Sequence, residues 1–292
     1  MRRVQSYTPG NDRRKPIRVS DTATIESMIS RRTRHILVAT AGAILALTVV
    51  GCTGSPGPAG SPSKTSRPSG TQSATPTPSA SPSATQPARF NKGALSIDDP
   101  ASIWVVVDKL RPLNPKDYVP ADLIQTPVAH ANPPTLRKEA ADAMVAMFAA
   151  GKAEGAGGMQ LQSAYRSYTT QVVVYNRYVS QAGQAGADAQ SARPGFSEHQ
   201  TGLAADISSV PATCVLAACF GETTQGKWLV ANAYRFGFLL RYPADKVAVT
   251  GYMYEPWHFR YIGAALATEM HDEGVTTLEE FFGLPAAPDY AK

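Results

Sequence analysis

His199, Asp206 and His258 are of the residue types that bind zinc, and Glu255 stands three positions before the last of them. His199 and Asp206 lie in SARPGFSEHQTGLAADIS (Ser191 to Ser208). Glu255 and His258 lie in GYMYEPWHFRYIG (Gly251 to Gly263). A catalytic zinc needs three protein ligands and an open position for water. The metal brings the pKa of that water to roughly 7. A nearby carboxylate that is not a ligand must then accept the water's proton and return it to the leaving group. Two imidazoles, one carboxylate and a spare glutamate supply these parts. Asp206 is the sharpest anomaly, because it sits in the apolar run LAADIS, where an unpaired carboxylate is costly. Something positive must face it: a metal, or a structural partner such as Arg166 or Arg260.

The elements that must position these residues can be read from the patterning. WVVVDKLRPLNPKDYVPADLI reads as a short strand or extended segment followed by a proline-punctuated loop. Thr135 is placed to cap a helix whose apolar positions Leu136, Ala140, Met144, Met147 and Phe148 recur at helical spacing and which ends near Gly155. Met159 to Tyr165 alternates as a half-buried strand. A second helix is expected from Thr169 to Gln181. Gly202 to Ser208 reads as a strand with Leu203, Ala205 and Ile207 on one face. Lys227 to Phe236 is expected to be helical, Phe238 to Tyr242 and Gly251 to Tyr254 strand-like, and Tyr261 to Glu273 helical. Thr277 with Glu280 makes a capping box for a last short helix. Helices and strands mix without βαβ alternation, which argues an α+β fold.

Charge separates this part of the chain from what precedes it. The 292 residues carry a net charge of +5, yet residues 90–292 hold 16 basic and 20 acidic side chains, a net of −4. The positive excess belongs to the leader, and no basic stripe interleaved with aromatics follows, which argues against nucleic acid as a partner. No obligate protein partner is evident either. In the leader, residues 1–52, Arg31, Arg32, Arg34 and His35 precede an apolar run from Ile36 to Val50, shorter than the ~20 residues that span a bilayer comfortably. The run exits in VVGC, which looks like a lipoprotein box with Cys52 as the lipidated residue; an uncleaved signal anchor is the alternative. Residues 53–89, rich in Pro, Ser and Thr with no Val, Leu, Ile or aromatic, cannot bury enough surface to fold and read as a disordered linker. The expected organisation is therefore an anchor (1–52), a tether (53–89) and one folded domain (90–292) facing the cell wall from the outer side of the cell membrane. In such an oxidising compartment, Cys214 and Cys219 are expected to form a local disulfide, with free thiols or a role as metal ligands the alternatives.

SEHQTGLAADI followed by YEPWHFRY, together with AYRSYTTQ, KDYVPADL and FLLRYP, resembles the VanY-type D-alanyl-D-alanine carboxypeptidases, zinc peptidases of bacterial peptidoglycan. The resemblance implies a compact α+β domain of the hedgehog and D,D-peptidase kind, a small mainly antiparallel sheet with helices packed on it, holding one Zn²⁺. It implies His199, Asp206 and His258 as ligands and Glu255 as catalytic base. It places Arg166 at the substrate or the developing oxyanion, a task that suits a guanidinium. It puts Gln171 and Ser197 near the substrate's terminal carboxylate and Trp257 in a pocket wall. Phe196 departs from the pattern, where relatives often carry His or Tyr. The expected substrates are peptidoglycan stem peptides, cut by removal of the terminal D-alanine. The alternatives are an L,D-carboxypeptidase acting on tetrapeptide stems and a non-catalytic zinc-containing wall-binding module, against which the intact Glu255 argues.

Overall fold

A computed structural model of the protein describes residues 90–291. In chain order the elements are β1 (Leu123–Gln125), β2 (Thr135–Arg137), α1 (Lys138–Ala153), β3 (Gly158–Ser163), α2 (Tyr168–Gln190) and β4 (Ala204–Val210). There follow α3 (Thr224–Asn232), β5 (Phe238–Leu240), α4 (Val247–Thr250), β6 (His258–Tyr261), α5 (Ala264–Glu273) and α6 (Leu278–Phe282). β1 and β2 make a small antiparallel pair. β3, β4, β6 and β5 form, in that order, a four-stranded sheet in which every pairing is antiparallel. The fold is a compact α+β domain, as the patterning suggested.

The sheet has one greasy face and one chemical face, because side chains alternate along each strand. Leu161 on β3, Ala205 and Ile207 on β4, Phe238 on β5, and Phe259 and Tyr261 on β6 all join the main core with Ala140, Met144 and Met147 of α1. The residues between them, Asp206 and Ser208 on β4 and His258 and Arg260 on β6, point the other way and are themselves buried. A second core gathers Trp104, Val106, Ile262, Leu266, Met270, Leu278 and Phe281. The segment Trp104–Val107 sends alternate side chains into the two cores without pairing as a strand, since Val105 and Val107 belong to the first.

Several boundaries differ from expectation for identifiable reasons. Thr135 caps no helix: it pairs with Gln125 in the β1–β2 ladder, and α1 begins three residues later. α2 runs past Gln181 to Gln190 and is broken at Gly183, whose φ of 70° only glycine adopts readily. Gly251–Tyr254 is not a strand; the strand of that region is β6, and α5 consequently starts at Ala264 instead of Tyr261. Thr277 does cap α6, accepting from Glu280 N at 3.3 Å. The reciprocal bond of a capping box is replaced by a hydroxyl donation from Thr277 to Glu280 Oε2 at 2.8 Å. Among the described residues no helix is long and apolar enough to cross a membrane. The leader, Cys52 and the linker lie outside the described residues.

Candidate active site

Asp206 and His258 are brought together by strand register. They are direct partners across the β4–β6 pair and share the non-core face. His258 Nδ1 lies 3.0 Å from Asp206 Oδ1. His199 arrives from a 3-10 turn, Glu198–Thr201, that reverses the chain at Gly202. Gly202 has φ 67°, and a Cβ there would approach Leu123 Cδ2 to 2.8 Å, so only glycine permits the reversal. The turn sets His199 Nε2 3.3 Å from Asp206 Oδ2. One ligand-type atom from each of the three buried residues falls within 4.8 Å of the others.

Both imidazoles are oriented from behind. His199 Nδ1–H donates to the Ala164 carbonyl at 2.8 Å, which leaves Nε2 free to face Asp206. His258 Nε2 lies 3.2 Å from Glu198 Oε2, which leaves Nδ1 turned inward. Hydrogen bonds of this kind fix tautomer and ring direction in metal sites. The donor set of two inward-facing imidazole nitrogens, His199 Nε2 and His258 Nδ1, and a carboxylate therefore suits a zinc ion.

Glu198 is the centre of a buried charge network that sequence reasoning missed. Its Oε1 accepts from Arg241 Nε at 2.9 Å and from Arg260 Nη1 at 3.0 Å. Arg241 in turn forks onto Glu279 with bonds of 3.0 and 2.7 Å. Arg260, weighed above as a partner for Asp206, is thus committed to Glu198 and to the Ile103 and Val105 carbonyls. Arginines inside FLLRYP and WHFRY, apolar on both sides, were the available signal: a buried guanidinium demands a carboxylate.

The electrostatics divide the acids. Burial alone would raise Glu198, but Arg241, Arg260 and His258 hold it well below the usual carboxylate range. Asp206 likewise overcomes burial through His199 and His258 and stays ionised. Burial depresses His199 despite Asp206. His258 resists burial because Asp206 and Glu198 accept from it, and rises to about 9. Glu255 is pushed up to about 8, chiefly by burial, with Asp206 and Glu198 adding repulsion against the attraction of His258 and Arg166. Its backbone is fixed by Glu255 N donating to Tyr242 O at 3.1 Å and His258 N donating to Glu255 O at 3.0 Å.

A cleft of about 610 Å³ opens over these groups, lined by Arg166, Ser197, His199, Asp206, Glu255, Trp257 and His258 among others. Arg166 follows β3, its N–H donating to the His199 carbonyl at 3.1 Å. Its guanidinium donates to Ser163 Oγ and Gln171 Oε1, each at 2.9 Å. Gln171 is fully buried, and its Nε2 donates to Ala192 O at 2.6 Å. Its Oε1 thus takes up the Arg166 guanidinium while its Nε2 is bonded to Ala192 O and Ser191 Oγ. Ser197 lines the cleft where the 3-10 turn begins, and Trp257 does so while also packing against the main core. Phe196 meets Tyr290 edge-on at 5.0 Å. Cys214 and Cys219 are joined as a disulfide.

An antiparallel α+β domain with a buried His/Asp/His set and a neutral-leaning glutamate beside it has the constitution of a metallopeptidase. The sequence profile of VanY, D-alanyl-D-alanine carboxypeptidase, matches residues 133–264. The chain is 44% identical over 195 residues to the carboxypeptidase-like protein YodJ of Bacillus subtilis (strain 168), covering 65% of this chain and 70% of YodJ. Among solved structures it resembles the LdcB LD-carboxypeptidase, at 43% identity and TM-score 0.58 over 63% of this chain and 87% of that one. It also resembles the D,D-pentapeptidase VanY of a VanB-type vancomycin resistance cassette in complex with Zn(II), at 31% identity and TM-score 0.52 over 62% and 98%. The chain belongs to the VanY carboxypeptidase family.

Proposed function

We propose that this protein is a zinc-dependent D,D-carboxypeptidase that removes the terminal D-alanine from peptidoglycan stem peptides. The observation that carries the reading is the convergence of His199 Nε2, Asp206 and His258 Nδ1, each oriented from behind, with Glu255 in the same cleft. Zinc held by these three would acidify a water and polarise the scissile carbonyl. Glu255 takes the proton of the attacking water as the new C–O bond forms, and gives it to the departing amine nitrogen as the C–N bond breaks. A carboxyl whose pKa sits near 8 in the metal-free pocket is suited to give a proton back as well as take one. Arg166, held rigid by Ser163 and Gln171, offers its remaining N–H groups to substrate oxygens.

A second reading is an L,D-carboxypeptidase that trims tetrapeptide stems, and the 43% identity to LdcB favours it. The two differ in the residue before the cut, a D-alanine in the first and the L-centre of the preceding residue in the second. We further propose an exported, membrane-anchored protein, which the basic segment before Ile36–Val50 and the position of Cys52 support from sequence.

The zinc-loaded full chain, incubated with penta- and tetrapeptide stems, should release D-alanine from the pentapeptide. Release from the tetrapeptide alone selects the second reading, and zinc-loaded protein inert on both would sink the peptidase assignment. Mass spectrometry of the membrane fraction should find Cys52 lipidated; an unmodified Cys52 rejects the lipoprotein anchor.

A further inference from the structure

The turn between Cys214 and Cys219 puts a leucine where a leucine is unfavourable. Ala217 N donates to Cys214 O at 3.3 Å, closing a four-residue turn in which Leu216 occupies the third position at φ 48°. Cys214 itself has φ 52°. Glycine or asparagine normally fills a positive-φ turn site, because a Cβ crowds the backbone there. Such strain persists only where the surroundings over-determine it, and it clusters at functional sites.

Here the surroundings do so from several directions. The Cys214–Cys219 disulfide closes the loop, and Cys214 packs against the main core. Before it, Ser209 Oγ accepts from Thr213 N at 3.1 Å and donates to Pro211 O at 2.9 Å, tying the loop to the end of β4, the strand that carries Asp206. After it, Gly221 lies so close to Tyr254 and Pro256 that a Cβ would come within 3.2 Å of Pro256 Cβ. The loop is thus clamped between the strand of Asp206 and the segment of Glu255. The side chain so presented is not buried: Leu216 is 42% exposed and lines the cleft on which Asp206, Glu255 and His258 open. Met253, 45% exposed, and Trp257 are further apolar side chains that line the same cleft.

We infer that Leu216 is a specificity-determining residue: the disulfide-clamped turn holds it as an apolar wall for the methyl side chain of one of the two substrate residues flanking the scissile bond. The inference rests on the carboxypeptidase reading above and names a part of that site. It separates two tasks within the cleft. Asp206, His258, His199 and Glu255 act on the reacting atoms, whereas Leu216 reads the substituent beside them.

The test uses the zinc-loaded full chain and three stem pentapeptides: one ending in D-Ala-D-Ala, and two in which glycine replaces one or other of these alanines. Wild type should prefer alanine at one of the two positions by about tenfold in kcat/KM, the scale of a single buried methyl group. Leu216→Gly suits the turn's backbone, so its fold and zinc content should match wild type. It should bring that preference to within about threefold of unity through KM, with kcat little changed. A Cys214→Ser/Cys219→Ser double variant should lose the same preference. A merely structural role would instead lower kcat for all three peptides alike. An unchanged preference in Leu216→Gly, or no preference in wild type, overturns the inference while leaving the peptidase reading standing. Failure of wild type to release D-alanine from the parent pentapeptide removes the D,D-carboxypeptidase reading on which the inference rests.

Discussion

Glu198, the floor that anchors His258, and Glu255, in the cleft wall, are the same side chain at similar burial, 2% and 8% exposed. Their proton affinities are driven in opposite directions. Glu198 has two guanidiniums bonded to one of its oxygens and His258 on the other, and is held well below the usual range despite burial. Glu255 has no such partner; burial raises it to about 8, and the nearby anions Asp206 and Glu198 push the same way. Burial therefore does not decide the state of a carboxyl in this protein. The count of compensating charges does. The floor is held ionised by its partners, and the wall is left able to hold a proton near neutral pH.

The largest expected effect comes from attacking the wall. Glu255→Gln keeps the shape but cannot carry a proton, so kcat should fall by about 10²–10⁴-fold. Zinc content should stay at the wild-type level, since Glu255 stands outside the His199, Asp206, His258 cluster. Turnover measurements with metal analysis check both halves. A variant that loses its metal together with its activity would mean that Glu255 belongs to the floor.

Attacking the floor should give a different signature. Glu198→Gln leaves Arg260 without its carboxylate and strips the anchor from His258 Nε2. Breaking a buried pair from one side costs about 3–5 kcal/mol. Loss of a hydrogen bond behind a ligand weakens metal affinity by about 10–100-fold. Denaturation and competition with a chelator should show both losses. Wild-type stability in this variant would contradict the network's structural role.

The same contrast explains what could be read from sequence. His199, Asp206, Glu255 and His258 stood out because each is chemically conspicuous where it sits: a carboxylate in LAADIS, a histidine and a glutamate around Pro256. Glu198 did not, because a glutamate next to a histidine in a loop looks like surface, and its partners are 43 and 62 positions away. The sheet was legible where alternation was strong, as in β4. It was missed at β6, where burial on both faces (His258 through Tyr261) erased the two-residue period. Thr135 has a good cap's chemistry, and pairing with Gln125 overrode it. Gln171 lay within reach of the right arginine, yet only the fold reveals that its amide is spent on Arg166 and Ala192.

The smallest effect sharpens the comparison most, because the two glutamates should impose pH dependences of opposite sense on stability. In the metal-free chain the folded state keeps the Glu255 proton up to about pH 8, while an unfolded glutamate, at 4.5, has already released it. Between these values the folded state binds more protons, so Glu255 makes unfolding easier as pH rises, by at most about 1.4 kcal/mol per pH unit. Glu198 has a folded pKa below 4.5, so its stabilisation is present above that value and is lost as pH falls through the folded one. His258, raised to about 9, also weakens stability as pH climbs past its unfolded value of 6.5, and it does so in both wild type and variant. The stability of chelator-treated Glu255→Gln minus that of wild type should therefore grow steadily from about pH 5 to about pH 8. The same difference for Glu198→Gln should grow only through the groups that Glu198 raises, His258 from about pH 6.5 and Glu255 to a smaller degree, because that carboxylate is itself charged in both states over the range. Zinc should flatten the Glu255 profile, since a cation among its neighbours draws its pKa down. Parallel profiles for Glu255→Gln and wild type in the metal-free state would mean that Glu255 is ionised there, and that the wall resembles the floor.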